Sequence, residues 1–490
     1  MNSTHRTRWA VSIAVIAPLV LLGTALTVTF AYFALASIST RWPITYPEGA
    51  QVAAVLRLRN GEPLYPPFLA YPYIITPYPP LLYLLDAGVS ALLGLGVYET
   101  MVAARALTLA TSFGAALLVG MLAVRERVGR IASLTAAALF LPIPLLDQWG
   151  FAVRPDLPAI FLSLAAGWLL LRSPRLVWAA GLVVGLALLT KFTAISMPIS
   201  ACIWLVASRR LRHAIVFAAS AVGVAGGGAA VTLALSHGEA FGHTVLANMN
   251  PLLPMEHAID IFARLPTLAW FPFAAAVVGM LIQIRSRQLR LSGVYWPVTL
   301  AVGLFTLRGR GGDVNYLLEA AAATCWLAAH GLREIWLTLR PRVDARLVAL
   351  PVVVTIAGLI WGARTFSFWR AEGGVNTDRR LPIEEVAAAP SVLAEEPTMV
   401  LLAGKPLVLS DPFNLSQLQT AGRFDPSDLI QRIRQRDFGL IVLRGDVRQT
   451  RYINGQPKWP ESVRRAIADY YVFSKRVDIY WLYVPDAPRR

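Results

Sequence analysis

Four short stretches of this 490-residue chain carry side chains able to handle protons and phosphates. The first is Glu48, set between Pro47 and Gly49 at the head of GAQVAAVLRLRNG. The spacing predicts a short amphipathic helix with Ala50, Ala53, Ala54 and Leu58 toward lipid, and Gln51, Arg57 and Arg59 toward water. A carboxylate at that helix start is favoured by the dipole by about 0.3–1 kcal/mol. If water reaches it, it could also deprotonate a hydroxyl. The second is Arg154-Pro155-Asp156, after Gln148-Trp149-Gly150. Pro155 suits a helix start and Asp156 a first-turn acid or cap. Arg154 could grip a phosphate through its planar donors, with Asp156 toward substrate or a metal. The third is Lys191 in LALLTKFTAI, where an ammonium among apolar residues must snorkel or find an anion. The fourth is Arg308-Gly-Arg310-Gly-Gly-Asp313-Val-Asn315-Tyr316-Leu-Leu-Glu319. Its glycines permit a tight turn. Asn315 and Glu319, four apart, share a helix face, with Glu319 about one turn into an apolar run.

Other chemistries lack their patterns. The glycine-rich loop does not follow GxxxxGK[ST], so it is no nucleotide cradle. His237, His243 and His257 are too loosely spaced to argue a metal site and read as loop histidines. Cys202 and Cys325 lie inside apolar runs, giving neither a disulfide framework nor metal-ligand spacing.

The elements that must position these residues are membrane helices. The chain is 56% hydrophobic and 15% charged, with mean hydropathy +0.55, far more apolar than a soluble domain of this size. Apolar runs long enough to approach the roughly 20 residues of a span lie near 10–36, 101–123, 131–147, 157–171, 176–190, 193–207, 214–235, 265–284, 293–307, 314–336 and 347–363, about eleven in all. The first follows Arg6 and Arg8, is too long for a signal-peptide core and reads as a retained span. The formal charge of +16 sits mostly as arginines in the short links. That fits membrane topology and excludes a nucleic-acid binder, which would need a soluble basic face.

Residues 79–97 are apolar but ambiguous. If they lie along the surface, Arg6/Arg8, Arg125/Arg127/Arg130, Arg172/Arg175, Arg209/Arg210/Arg212, Arg285/Arg287/Arg290 and Arg333/Arg340/Arg342/Arg346 all fall on one side, the cytoplasm. The opposite face then receives Glu48, Asp156, Lys191, the 236–264 loop and the 308–319 segment. The fold expected is mainly α: a transmembrane domain over 1–365 with juxtamembrane helices, and a small soluble α/β domain over 370–490 outside. In the latter, 398–404, 405–410, 438–444 and 478–484 read as strands, and 427–436 and 461–471 as amphipathic helices.

In order along the chain these motifs resemble the GT-C superfamily of membrane glycosyltransferases, most closely the bacterial group related to protein O-mannosyltransferases and lipid A aminoarabinose transferases. The resemblance rests on Pro47-Glu48-Gly49 after the first span, Gly61-Glu62-Pro63-Leu64-Tyr65, Tyr78-Pro79-Pro80-Leu81, Arg105, Arg154-Pro155-Asp156, Thr190-Lys191 and Asn315-Tyr316…Glu319. It covers roughly residues 10–365. Where members carry Asp before Glu in the first loop, this chain has Pro47. The second acid that some relatives carry before Pro-Pro is replaced by Ile75-Thr76-Pro77-Tyr78.

The resemblance implies transfer of a hexosyl or pentosyl group from a polyprenyl-phosphate sugar to a glycan, lipid or protein acceptor on the outer face of a bacterial plasma membrane. Glu48, and Asp156 beside it, would be the catalytic acids. Arg154, Lys191, Arg308, Asn315, Tyr316, Glu319, Tyr65 and Tyr78 would bind substrate. No cofactor is required by it, and a divalent metal is used by some members and not others. Two alternatives stay open: a lipid-linked sugar transporter or flippase, which would want mid-span ionisable groups and internal symmetry, and a non-catalytic binder of lipid-linked sugar.

Overall fold

A computed structural model describes residues 3–46, 48–337, 345–372, 379–453 and 456–486. Pro47, Arg340 and Arg342 lie outside the described residues. Long apolar stretches give the longest helices, and among the described residues three are long and apolar enough to cross a bilayer: Val20–Ile38, Val97–Arg125 and Leu211–Leu235. A fourth crossing arises if Met255–Leu268 and Trp270–Arg285, bent by 91° against each other, act as one broken span. Other predicted spans correspond to helices such as Arg130–Phe140, Asp156–Arg172, Val177–Thr190, Ser196–Ala207, Leu291–Thr306 and Leu318–Leu337.

Leu318–Leu337 is the core of the bundle, with Leu318, Ala322, Cys325, Trp326 and Ala329 fully buried. Trp270–Arg285 crosses it at close range. A Cβ on Gly331 would stand 2.1 Å from the Ala275 carbonyl oxygen, and one on Gly279 would stand 2.5 Å from that of Leu327. Small residues at such a crossing substitute backbone contact for the hydrophobic drive that lipid does not supply.

The 41–97 excursion carries two short helices, Glu48–Arg59 and Leu81–Leu92. Twelve residues rise about 18 Å, short of the ~30 Å hydrocarbon core, so Leu81–Leu92 suits the membrane surface. It leaves Leu84, Leu85 and Leu92 exposed and turns Tyr83 and Asp86 inward.

Glu48–Arg59 departs from expectation. Ala50, Ala53, Ala54 and Gln51 are all buried in protein, neither in lipid nor in water. The cause is cover from both sides. The Tyr83 hydroxyl donates to Gln51 Oε1, and a Cβ on Gly49 would fall 2.6 Å from the Thr398 backbone nitrogen. The C-terminal residues lie directly on this helix.

Those residues form a four-stranded sheet in the order Val392–Ala394, Leu440–Leu443, Tyr480–Pro485, Tyr471–Val477; the first pair is parallel and the others antiparallel. Ser427–Arg434 and Glu461–Tyr470 are helices, as their periodicity predicts. Residues 398–404, expected as a strand, instead lie largely in the helix Pro397–Leu402. Glu396 caps it by accepting from Thr398 N at 3.3 Å, and Pro397 sits in its first turn. Residues 405–410 make one parallel bridge, Leu409 to Tyr73, in place of the expected strand.

That bridge shows how the two parts interlock. Tyr73 and Ile75 of the excursion belong to one core with Leu409 and Leu415, and Trp42 to another with Val386 and Tyr480. The excursion is thus a wall shared by the helical bundle and the C-terminal sheet.

Candidate active site

Asp156 opens the helix Asp156–Arg172 directly after Pro155. Its Oδ1 accepts from Lys191 Nζ at 2.5 Å and from Asn315 Nδ2 at 2.8 Å, and its Oδ2 from Arg154 Nε at 3.4 Å. Lys191 is the residue that ends Val177–Thr190, and Asn315 lies in the single turn Val314–Leu317. Three segments remote in sequence therefore meet on one carboxylate. Lys191 does not snorkel free; its partner is Asp156.

Aromatic rings complete the enclosure. Lys191 Nζ stands 4.5 Å from the Tyr316 ring centroid, and the Arg154 guanidinium 5.0 Å from Trp149 and 5.4 Å from Tyr78. Arg154, Asp156 and Lys191 are each at most 8% exposed. Two cations share one carboxylate, so the cluster keeps an excess positive charge where few waters can screen it. A cleft opens beside it, lined by Asp156, Lys191, Ser196, Asn315, Tyr316 and Glu319. In its wall Glu319 accepts from the Tyr295 hydroxyl at 2.7 Å and from Ser196 Oγ at 2.9 Å.

Glu48 is elsewhere and differently used. It is fully buried, and one oxygen accepts from Arg105 Nη2 at 2.7 Å and Ile44 N at 2.6 Å. The other accepts from Arg105 Nε and Val153 N, both at 2.9 Å. Arg105 spends its remaining donors on the carbonyls of Ile38, Thr40 and Trp42. The pair pins the end of the first long helix, the excursion and the 153 loop together.

Tyr65 is removed from the cleft. It is buried beside His243 and donates to the Tyr78 carbonyl at 2.8 Å, fixing the backbone of the residue that flanks Arg154. His243 accepts from Thr76 N at 3.1 Å through Nδ1 and meets the Pro66 carbonyl at 2.7 Å through Nε2, which assigns it the neutral Nε2–H tautomer. Burial lowers its pKa. Among the described residues, no three His, Cys, Asp or Glu side chains gather as a metal site.

Arg308 bonds to the 250s loop: its Nε donates to the Leu253 carbonyl at 3.3 Å and its own carbonyl accepts from Leu253 N at 2.6 Å. Two residues on, Arg310 buries Nε and Nη1 with no partner among the described residues. Of the two arginines flanking Gly309, Arg310 is the one whose buried donors lack a described partner.

Sequence reasoning also missed a second polar group. Tyr46 donates to Asp411 Oδ1 at 2.6 Å, and Lys458 Nζ lies 3.9 Å from the Tyr46 ring and 2.5 Å from Glu395 Oε1. Burial lowers the Lys458 pKa while Glu395 opposes it. The sequence offered one cue, the polar Ser410-Asp411-Pro412, which is a helix N-terminus signature.

A helical core with helices apolar enough to cross a membrane, short helices on a long first excursion and a small α/β region packed on that excursion make a fold shared with solved membrane-glycosyltransferase structures of the GT-C type. Residues 78–227 match the family described as dolichyl-phosphate-mannose-protein mannosyltransferase. Among curated proteins none matches by sequence. Two solved structures share the architecture. ArnT from Cupriavidus metallidurans, bound to undecaprenyl phosphate, aligns at TM-score 0.60 and 14% identity over 96% of this chain and 98% of its own. The oligosaccharyltransferase AglB from Archaeoglobus fulgidus, in complex with an inhibitory peptide and a dolichol-phosphate, aligns at TM-score 0.58 and 13% identity over 98% of this chain and 74% of its own.

Proposed function

We propose that this chain is a membrane glycosyltransferase that moves a sugar from a polyprenyl-phosphate donor to an acceptor hydroxyl on a glycan, lipid or protein. The carrying observation is the buried trio of Lys191, Asp156 and Arg154 beside a cleft. Asp156 brings two cations together against their repulsion and leaves one positive charge uncompensated. A lipid phosphate entering there would exchange hydration for charged hydrogen bonds from Lys191 and Arg154. Those bonds strengthen as charge develops on the departing phosphate, which lowers the barrier to leaving. Asn315 and Tyr316 orient Asp156 and Lys191. Tyr78 and Trp149 shield Arg154, and Glu319 with Tyr295 and Ser196 offers polar partners to sugar hydroxyls. Arg310, whose buried Nε and Nη1 have no partner among the described residues, joins Arg308 as a candidate anion contact.

In this reading Asp156 and Glu48 position and do not exchange protons, because both oxygens of each are engaged. The same fact favours a second reading, a chain that binds lipid-linked sugar without transferring it. Membranes holding the wild-type protein and supplied with polyprenyl-phosphate sugars decide between them: transfer supports the enzyme, and retention of the donor without transfer supports the binder. Lys191→Ala raises the donor KM about tenfold to a hundredfold, the worth of one charged hydrogen bond. An unchanged KM removes Lys191 from the phosphate site.

The site would face the outside of a bacterial plasma membrane, with the N-terminus cytoplasmic and the 379–486 residues outside. Single cysteines at the exposed positions Asn60 and Thr420, in a background without Cys202 and Cys325, should both react with an impermeant thiol reagent in intact cells. Labelling of either only after permeabilisation reverses the orientation.

A further inference from the structure

Two acids, Asp156 and Glu319, line the cleft, and two more, Glu48 and Asp411, lie outside that lining; the four differ in what their oxygens still have to offer. Glu48, Asp156 and Glu319 each accept hydrogen bonds on both oxygens. Asp411 does not. It caps the helix Pro412–Thr420, and its Oδ1 alone accepts from Phe413 N at 3.0 Å, Asn414 N at 3.4 Å and the Tyr46 hydroxyl at 2.6 Å. Its Oδ2 takes no bond from any described group, yet it is not among the buried oxygens sealed from solvent without a partner. The carboxylate is therefore held by one oxygen and presents the other.

Its position is fixed from three sides. Ser410 N donates to the Tyr73 carbonyl at 3.2 Å, and Ile75 N donates to Ser410 Oγ at 2.8 Å, so the excursion grips the residue before it. Phe413, two residues after it, comes within 3.1 Å of where a Cβ on Gly311 would stand, which abuts the turn leading to Asn315 and Tyr316. The Tyr78 ring lies 5.4 Å from the Arg154 guanidinium of the Lys–Asp–Arg cluster, and its hydroxyl feels two carboxylates. Burial pushes its hydroxyl pKa up, Arg154 opposes this, and Asp156 and Asp411 both add to the rise, so the two carboxylates act on one ring.

We propose that Asp411, supplied by the C-terminal domain, is the general base of the transfer. This rests on the glycosyltransferase reading above. Oδ2 accepts the proton of the acceptor hydroxyl as that oxygen bonds to the anomeric carbon. The bond from that carbon to the phosphate oxygen breaks, its electron pair stays on the phosphate, and the polyprenyl phosphate leaves beside Lys191 and Arg154. The protonated Asp411 then returns its proton to water. Tyr46 and the two backbone N–H groups hold the carboxylate in place, and Lys458 is the cation facing it through Tyr46. Burial raises the Asp411 pKa above the ordinary aspartate range, against the bond from Tyr46 and the charge of Lys458, which makes it a better proton acceptor than an exposed aspartate.

The test is Asp411→Asn in the full-length protein, since Asn caps helices as well as Asp does. Expected is a fall in transfer of about 10²–10⁴-fold, the usual worth of a general base, with an unchanged melting temperature and unchanged donor KM. Wild-type activity should show an acid limb above the ordinary aspartate pKa of about 3.9, rate falling as pH drops, and the residual activity of Asp411→Asn should lack it. Asp313, a partly exposed acid in the adjoining turn, is the control. Transfer by Asp411→Asn at near wild-type rate, or loss in Asp313→Asn instead, overturns the assignment and leaves the enzyme reading standing. Wild type that transfers nothing from any lipid-linked donor brings down both.

Discussion

Asp156→Ala should lose at least about a hundredfold in transfer and melt well below wild type, with polyprenyl phosphate restoring part of the lost stability. Removing one member of a buried charge cluster costs about 3–5 kcal/mol, because its partners stay buried without a counter-charge. Here two cations are stranded, Lys191 and Arg154, the first 2.5 Å and the second 3.4 Å from the missing carboxylate. Their mutual repulsion drives them apart, and a displacement of about 1 Å in a positioning group is enough for a loss of about 10²-fold. The distinctive part is the response to ligand. In wild type a lipid phosphate adds to a partly neutralised site; in Asp156→Ala it takes the place of the carboxylate that both cations have lost. Added polyprenyl phosphate should raise the melting temperature more in the variant than in wild type, by the usual linkage of binding to stability. Equal shifts would mean that the cluster is structural and the phosphate binds elsewhere.

The reasons this cluster could be read in the sequence are specific. Lys191 and Glu319 interrupt apolar runs, where an ionisable group costs several kcal/mol unless something compensates it, so each announced a partner. The Asn315–Glu319 spacing placed both on one wall. Tyr65 and Arg308 each bond a backbone carbonyl, a use that nothing in the local sequence pattern tells from a ligand contact. Asp411 and Arg310 stand out only in the structure. Their significance lies in bonds they do not make, and an unspent oxygen or guanidinium has no sequence signature.

The fold shows the same division. Helices long and apolar on all sides declare themselves, and the arginine placement that argues for 79–97 lying along the surface is compatible with the twelve-residue length of Leu81–Leu92. The setting of Glu48–Arg59 did not declare itself, because its alanines fit lipid or protein equally well. What decides is Thr398, some 350 residues away, closing on Gly49. Residues 398–404 read as a strand because their apolar run has no period to tell it from a buried helix. A Glu396 cap and Pro397 outweighed the run.

Glu48→Gln should therefore act through folding and not through the chemical step. The amide keeps the size of the side chain but removes the charge opposite a fully buried Arg105, at a cost of about 3–5 kcal/mol, and replaces one acceptor oxygen with a donor that faces Arg105 or a backbone N–H. The folded fraction should fall, and the melting temperature with it. The companion change Arg105→Met removes the stranded charge. In the double variant stability should recover in part, because the carbonyls of Ile38, Thr40 and Trp42 still lack their donor while the buried charge is gone. A general base cannot be rescued in this way. If Glu48 took the proton, the refolded double variant would remain dead; if it is a pin, transfer per folded molecule should return to within about tenfold of wild type, since a base contributes at least about 10²-fold. The measurement is specific activity normalised to the folded fraction. The result that restores Glu48 as base is Glu48→Gln melting with wild type while losing transfer, with no recovery in the double variant.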